Sequence, residues 1–384
     1  MLYFAQSCPH LSGGGTSAID KLASAVEHGL TNASTIGAAF RRLMRMRIRL
    51  GMFDPPALMG YNTLDKVDLK TEASTALNRK AAAEGMVLLK NGHHDGKPLL
   101  PLDSKSLVGT AGSVLVAGPV AANGNNTLGN YACNSANCSS NITSLLGGVR
   151  NAGTGLSGDE VVYIPGCSTT SCHETDFSKA TAVADKAKLT VLVLGLLGWD
   201  NQKDGPNPDP NGCEHEGHDR TSIALPANQY KLASALAAPG SPPLLCALIH
   251  GGSIKLGSLL DDCTAIVDAW YPGQQGGAGF ADVIFGKVAA AGRSPQTYYS
   301  DDSELPKLGN MDLYAGQGTT YRYYSGKPTI PFGFGLSYST FEYKNLKLNA
   351  TSIGHCDSVA VSVDVTNTGA VDSDEVVQMY CELQ

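Results

Sequence analysis

Leu189-Thr190-Val191-Leu192-Val193-Leu194-Gly195-Leu196-Leu197-Gly198 carries no charge, is rich in Val and Leu, and closes on glycine. The run is short, apolar and without alternation. It therefore reads as a strand over 189–197 buried on both faces, as strands of parallel sheets are. A polar segment with Pro206, Pro208 and Pro210 follows, and then the densest cluster of ionisable groups in the chain: Cys213-Glu214-His215-Glu216-Gly217-His218-Asp219-Arg220-Thr221-Ser222. In an open parallel sheet, ligands sit beyond the carboxyl ends of the strands. Position alone thus makes this cluster a functional candidate. The same residues also suit a solvated loop, the commoner use of charged loops. Cys213, His215 and His218 could ligate zinc, but a structural zinc site wants four donors and no second Cys or His pair completes them. No metal is expected.

Outward from this stretch, helices and strands alternate. Helical patterns cover 73–85, 179–188, 228–238 and 276–285, and strand patterns cover 86–90, 113–117, 244–249 and 265–269. Such alternation predicts an α/β sandwich around a mostly parallel sheet covered on both faces. Before it, residues 1–53 read as helix, break, helix. The first helix has apolar positions at Ile19, Leu22, Ala23, Val26 and Leu30, and the second starts at Asn32 and runs through Ile36, Phe40, Leu43 and Ile48. Residues 54–72, with Asp54-Pro55-Pro56, Gly60 and Asn62, read as a linker. At the other end, Val359, Val361, Val363 and Val365 alternate with small or polar residues, predicting a half-buried strand, and Glu375–Tyr380 reads as a second.

The formal net charge of −7 argues against nucleic acid as a partner. The basic run Arg41, Arg42, Arg45, Arg47 and Arg49 is accordingly read as a solvated face over a neighbouring domain. No apolar run approaches the roughly 20 residues that span a bilayer. Gly13-Gly14-Gly15 and Gly251-Gly252 lack the spacing of a dinucleotide fingerprint, so no cofactor is expected. Ten cysteines suit disulfides without setting their pairing. Cys167 and Cys172, flanking a short polar loop, are expected to pair. Cys246 and Cys263, in apolar surroundings, read as plain buried thiols. Glycosylation sequons stand at Asn32, Asn125, Asn137, Asn141 and Asn349 and lean towards the secretory route, although Met1-Leu2-Tyr3-Phe4-Ala5-Gln6 has no signal-peptide character.

Glu214-His215-Glu216-Gly217-His218-Asp219-Arg220 ahead of Leu225-Pro226 resembles the Glu-x-Glu-x-x-Asp-Arg…Leu-Pro loop of glycoside hydrolase family 3, in its β-xylosidase / α-L-arabinofuranosidase branch. Further stretches resemble the same family: Gly85-Met86-Val87-Leu88-Leu89-Lys90-Asn91, Leu128-Gly129-Asn130-Tyr131, Tyr271-Pro272-Gly273-Gln274, Thr320-Tyr321-Arg322-Tyr323-Tyr324 and Pro331-Phe332-Gly333-Phe334-Gly335-Leu336-Ser337-Tyr338. The family's Gly-Arg-Leu-Pro stands here as Gly292-Arg293-Ser294-Pro295.

The resemblance implies a division of the chain. Residues 1–53 would be the tail of a (β/α)₈ barrel and 54–72 a linker. Residues 73–300 would be the C-terminal α/β sandwich domain, 301–340 a connecting segment, and 341–384 a truncated fibronectin type III-like domain. A whole barrel takes about 250 residues, so the chain is expected to be a fragment. The resemblance also implies a retaining exo-glycosidase acting on xylo- or arabinoxylo-oligosaccharides, secreted to the cell exterior or wall, with Glu216 as general acid/base. Asp219 and Arg220 are expected to form an ion pair that holds the loop. The family's nucleophile aspartate lies on the barrel and matches no residue here, so the chain alone is expected to be inactive. The alternative is a non-catalytic carbohydrate-binding or accessory module that pairs with a separate barrel.

Overall fold

The computed structural model describes residues 20–381 apart from 61–63, 65–70, 133–140, 152–154, 157, 200–208 and 355–356. The chain divides into two compact units, Met1–Thr71 and Glu72–Gln384.

The first unit holds helices α1 (Leu22–Glu27) and α2 (Ala33–Arg49), then a 3₁₀ turn at Pro56–Leu58. The expected start of α1 at Ile19 lies outside the described residues. Asn32 caps α2 as its position predicts, its Oδ1 accepting the Thr35 N–H at 2.9 Å. Neither helix contains a buried residue. No helix among the described residues is long and apolar enough to cross a membrane.

The second unit opens with α3 (Glu72–Gly85) and β1 (Val87–Asn91), then a small hairpin of β2 (His93–His94) and β3 (Lys97–Pro98). There follow β4 (Val114–Ala117), α4 (Leu145–Arg150), β5 (Val161–Tyr163), α5 (Ser178–Ala184), β6 (Leu189–Gly195), α6 (Ala227–Leu236), β7 (Leu244–Ile249), α7 (Leu259–Asp262), β8 (Ala265–Asp268) and α8 (Gly276–Ile284). The sheet order is β1-β8-β7-β6-β4-β5. All neighbours are parallel except β1, which runs antiparallel to β8.

Every residue of β6 and β7 is buried, which is why these strands read as unbroken apolar runs. Successive side chains point to opposite faces. Val191 and Val193 pack with Leu145, Phe280 and Ile284 on one side, while Leu192 and Leu194 pack with Ala180, Leu232 and Leu259 on the other. Each such fully buried Leu or Val stabilises the fold by about 1.5–3 kcal/mol. Within the sheet and its covering helices, the elements missed in the sequence are the short ones. Edge strand β5 has three residues, and α4 carries two glycines in Leu-Leu-Gly-Gly-Val-Arg, which leaves too little periodicity to read.

The C-terminal segment corrects two expectations. Residues 375–380 form no strand. The second strand is instead β9 (Phe341–Leu348), antiparallel to β10 (Val361–Asn367). Nor is β10 half-buried: Val361 and Val365 are exposed and only Val363 is partly covered. A two-stranded ribbon with no layer of described residues over it cannot bury a face. The acidic side chain of Glu375 instead pairs with the Arg293 guanidinium and accepts the Tyr343 hydroxyl at 2.6 Å.

Cys167 and Cys172 form a disulfide with Cα atoms 4.8 Å apart. Cys246 and Cys263 also form one, at 5.9 Å, correcting their reading as thiols. Burial does not separate the two states. The deciding fact is that the chain enters β8 beside β7, which the local sequence around each cysteine does not show. Peptide mapping without reductant is expected to recover 167–172 and 246–263 linked; alkylation of all four as free thiols in protein purified without reductant would overturn it. Of the sequon asparagines, Asn32, Asn125, Asn141 and Asn349 are exposed, and Asn137 lies outside the described residues.

Candidate active site

The loop predicted to carry the chemistry is fastened to the carboxyl end of β6. Leu197 and Cys213 form a parallel bridge, Leu197 N–H donating to Gly212 O at 3.1 Å and Glu214 N–H to Leu197 O at 2.8 Å. The charged cluster therefore continues the sheet by one rung before turning away. It lines a cleft of about 930 Å³ together with Asn130, Tyr131, Tyr271 and Asp302.

The two glutamates meet different fates there. Glu214 points inward. Its carboxylate accepts the Gly251 and Gly252 N–H groups and the Tyr271 hydroxyl at 3.0 Å, and lies 3.2 Å from the Arg220 guanidinium. Its side chain is 14 % exposed and that of Arg220 9 %. The glycines are needed for this approach: a Cβ on Gly252 would come within 3.0–3.1 Å of the Arg220 guanidinium and the Glu214 carboxylate. Burial, and then the adjacent Glu214 charge, pushes the Tyr271 hydroxyl far above its ordinary range, so it stays a donor.

Arg220 therefore pairs with Glu214, and among the described residues no Asp219–Arg220 pair forms, which corrects that expectation. Arg220 also donates to Ser222 O at 3.2 Å and Ser253 O at 3.0 Å, converging inward, while Asp219 is exposed. Desolvation favours the pair that shares the buried position.

Glu216 sits at the tip of a tight turn. His215 and His218 face each other across it, His218 N–H donating to His215 O at 3.0 Å. Gly217, the third residue, has φ +81°, which a type II turn requires there and glycine adopts without cost. Glu216 is exposed in the cleft, and its N–H donates to Asn130 Oδ1 at 2.5 Å. The Tyr131 hydroxyl hydrogen-bonds to the Glu216 carboxylate, which raises the Tyr131 pKa. The far end of the loop is held by Asp302, which accepts Ser222 Oγ at 2.6 Å and Ile223 N–H at 2.7 Å.

Asn130 and Tyr271 stand in stretches that resemble the family, yet nothing in them shows these contacts, and Asp302 carries no signal at all. Asn130 is 86 residues from its partner, and only the sheet brings them together.

Beneath the Gly251-Gly252 turn lies His250, wholly buried at the end of β7. Its Nδ1–H donates to Gly252 O at 2.8 Å. Its Nε2 lies 3.2 Å from Asp268 Oδ2, near enough for charge attraction but outside hydrogen-bond alignment. Asp268 also accepts the Tyr298 hydroxyl. Burial by itself would lower the imidazole pKa; the Asp268 carboxylate outweighs it, and the net direction is up from 6.5. A raised folded value means that the protonated ring stabilises the native state. That contribution is complete below the ordinary value and lost as pH rises through the folded one. The melting temperature of the native protein, measured relative to His250→Asn, is expected to fall as pH is raised through and above 6.5. A difference that does not change with pH would refute the charged pair.

Glycosyl hydrolase family 3 C-terminal domain is the family description that matches, over residues 86–338. The match spans the whole sheet and the Glu214–Arg220 loop. The chain belongs to glycosyl hydrolase family 3. Among curated relatives of this family 3 chain, it is 33% identical to "Probable exo-1,4-beta-xylosidase bxlB" of Aspergillus fumigatus, over 94% of this chain and 45% of that protein. It is 29% identical to "Probable beta-D-xylosidase 6" of Arabidopsis thaliana, over 96% and 48%. Among solved structures, it is similar to the family 3 exo-β-xylosidase XlnD in complex with a xylobiose aziridine probe. The TM-score is 0.71 at 31% identity, over 86% of this chain and 40% of that one. The chain thus spans about half the length of the curated relatives it matches.

Proposed function

We propose that this family 3 chain supplies the general acid/base, Glu216, of a retaining xylosidase-type exo-glycosidase acting on xylo-oligosaccharides. One observation carries the assignment. Of the two glutamates in the loop, Glu214 has its oxygens committed to Arg220, Tyr271 and two backbone amides, while Glu216 is presented at a turn tip in an open cleft. A carboxyl that must give and take protons cannot be locked in an ion pair; one at a cleft mouth can reach a glycosidic oxygen. A retaining enzyme needs a second carboxyl about 5–5.5 Å away as nucleophile. The residue that the family resemblance implies for this role matches none in the chain, so the reading assigns it to a barrel, covalently joined or separate. The two disulfides and the exposed sequons support a secreted protein.

Two assays test the reading. Residues 1–384 alone are expected to show no turnover of nitrophenyl β-xyloside, since acid help by itself supplies only about 10²–10⁴-fold. Joined to a family 3 barrel, the chain is expected to hydrolyse that substrate. In the joined protein, Glu216→Ala should then respond to azide by forming β-xylosyl azide, the mark of a retaining enzyme missing its acid/base. If Glu216→Ala stays fully active, or azide rescues Glu214→Ala instead, the assignment is wrong.

A further inference from the structure

We propose that Cys213, His215 and His218 form a site for one thiophilic divalent cation, Zn²⁺ or an ion of like chemistry, at the base of the turn that carries Glu216. The sequence offers no fourth protein donor beside these three. Three protein donors with the fourth position left to water is, however, the other established zinc arrangement. The fold supplies it. One ligand atom from each of the three residues lies within 4.8 Å of the others. Ligands bonded at about 2.0–2.3 Å to one ion sit closer than this, so capture draws the side chains together by about 1 Å.

A second observation points the same way. Both imidazoles already donate one ring N–H to a main-chain carbonyl, His215 Nδ1 to Glu216 O at 2.8 Å and His218 Nε2 to Pro210 O at 2.6 Å. A carbonyl oxygen only accepts, so those nitrogens carry protons, and in a neutral ring the other nitrogen is left to offer its lone pair. Metal-binding histidines are oriented and fixed in one tautomer by this kind of contact. The rings stack with centroids 5.2 Å apart, an arrangement that two charged imidazolium rings would resist. Cys213 beneath them is buried, and the histidines are half-buried, so the soft donor lies inside and the opening faces out. One thiolate and two imidazoles select zinc or another borderline-soft ion over Mg²⁺ or Ca²⁺.

On binding, a Cys213 S–metal bond forms as the thiol proton leaves to solvent, and the histidines contribute lone pairs. One proton is released per ion and no electron moves. The ligands lie at both ends of the 215–218 turn, so the ion closes a ring around Glu216 and Gly217. Any effect on catalysis rests on the acid/base reading above; the binding itself does not.

The experiment titrates residues 1–384, disulfides intact, with Co²⁺ as an optical stand-in for Zn²⁺. One equivalent is expected to produce thiolate-to-cobalt charge-transfer absorption, which Zn²⁺ then displaces. Cys213→Ser should lose that absorption. Because Cys213 is buried and its replacement can disturb folding, the decisive variants are His215→Asn and His218→Asn, each expected to weaken binding at least about 10-fold. A charge-transfer band that survives unchanged in the double histidine variant would place the metal on another cysteine and overturn the proposal. So would the absence of saturable Co²⁺ binding. Neither outcome touches the azide and Glu216 assays, so failure here is separate from failure of the functional reading.

Discussion

Glu216→Gln, in the chain joined to a family 3 barrel, is expected to lower xylobiose turnover by about 10²–10⁴-fold. Glutamine keeps the shape of glutamate and can still hydrogen-bond, but it neither gives a proton to a departing sugar hydroxyl nor takes one from water. The first step on xylobiose needs that proton because an alkoxide leaves poorly. A nitrophenyl leaving group does not, so its first step should be spared while the hydrolytic second step slows, and glycosyl-enzyme should accumulate. A burst of nitrophenol followed by a slow steady state checks this. The fold should be unaffected, since Glu216 is exposed and its pin to Asn130 runs through the backbone N–H, which the substitution leaves in place. Equal losses on both substrates with no burst would sink the role assigned to Glu216.

Glu214→Ala should do the opposite: it should leave the acid/base group intact and weaken the fold beneath it. The substitution strands the Arg220 guanidinium, 9 % exposed, and removes the acceptor from the Gly251 and Gly252 amides and the Tyr271 hydroxyl. Breaking a buried ion pair from one side costs about 3–5 kcal/mol. The pair is 14 % and 9 % exposed, so a value near the lower end, about 3 kcal/mol, is expected. Urea unfolding should show the midpoint fall with little change in slope. Glu214→Gln keeps one acceptor oxygen and should cost less than Glu214→Ala. A Glu214→Ala protein as stable as the parent would mean that these contacts carry no net stabilisation.

The sheet was legible because burial on both faces writes itself into composition. Strands β6, β7 and β8 were readable to within two residues from short apolar runs. The two sides of the core followed from the covering helices. Strand β1 was legible as 86–90, but its antiparallel direction was not, because composition says nothing of direction and only the partner sets it. At the site, the sequence pointed to the 213–222 loop that lines the cleft, but not to the contacts among its residues. Arg220 looked local to Asp219, and its true partner Glu214 is set by the side on which each residue meets the protein interior. The Cys246–Cys263 disulfide was hidden for a related reason: two buried sulfurs read alike whether bonded or not. The terminal valines promised a covered face, but alternation in sequence cannot report whether anything lies against it.

The pinch where Leu197 meets Cys213 has a consequence for how this protein can be altered. The chain leaves the sheet at Gly198 and is back in register by Gly212, which closes a neck between the two. The position of Glu214 and the turn beyond it is set by the neck and not by the length of the excursion. Doubling the length of such a loop costs only about 0.6 kcal/mol in closure entropy. An epitope, a fluorophore-binding peptide or a tether to a solid support inserted into this excursion is therefore expected to leave the carboxylates beyond the neck where they are.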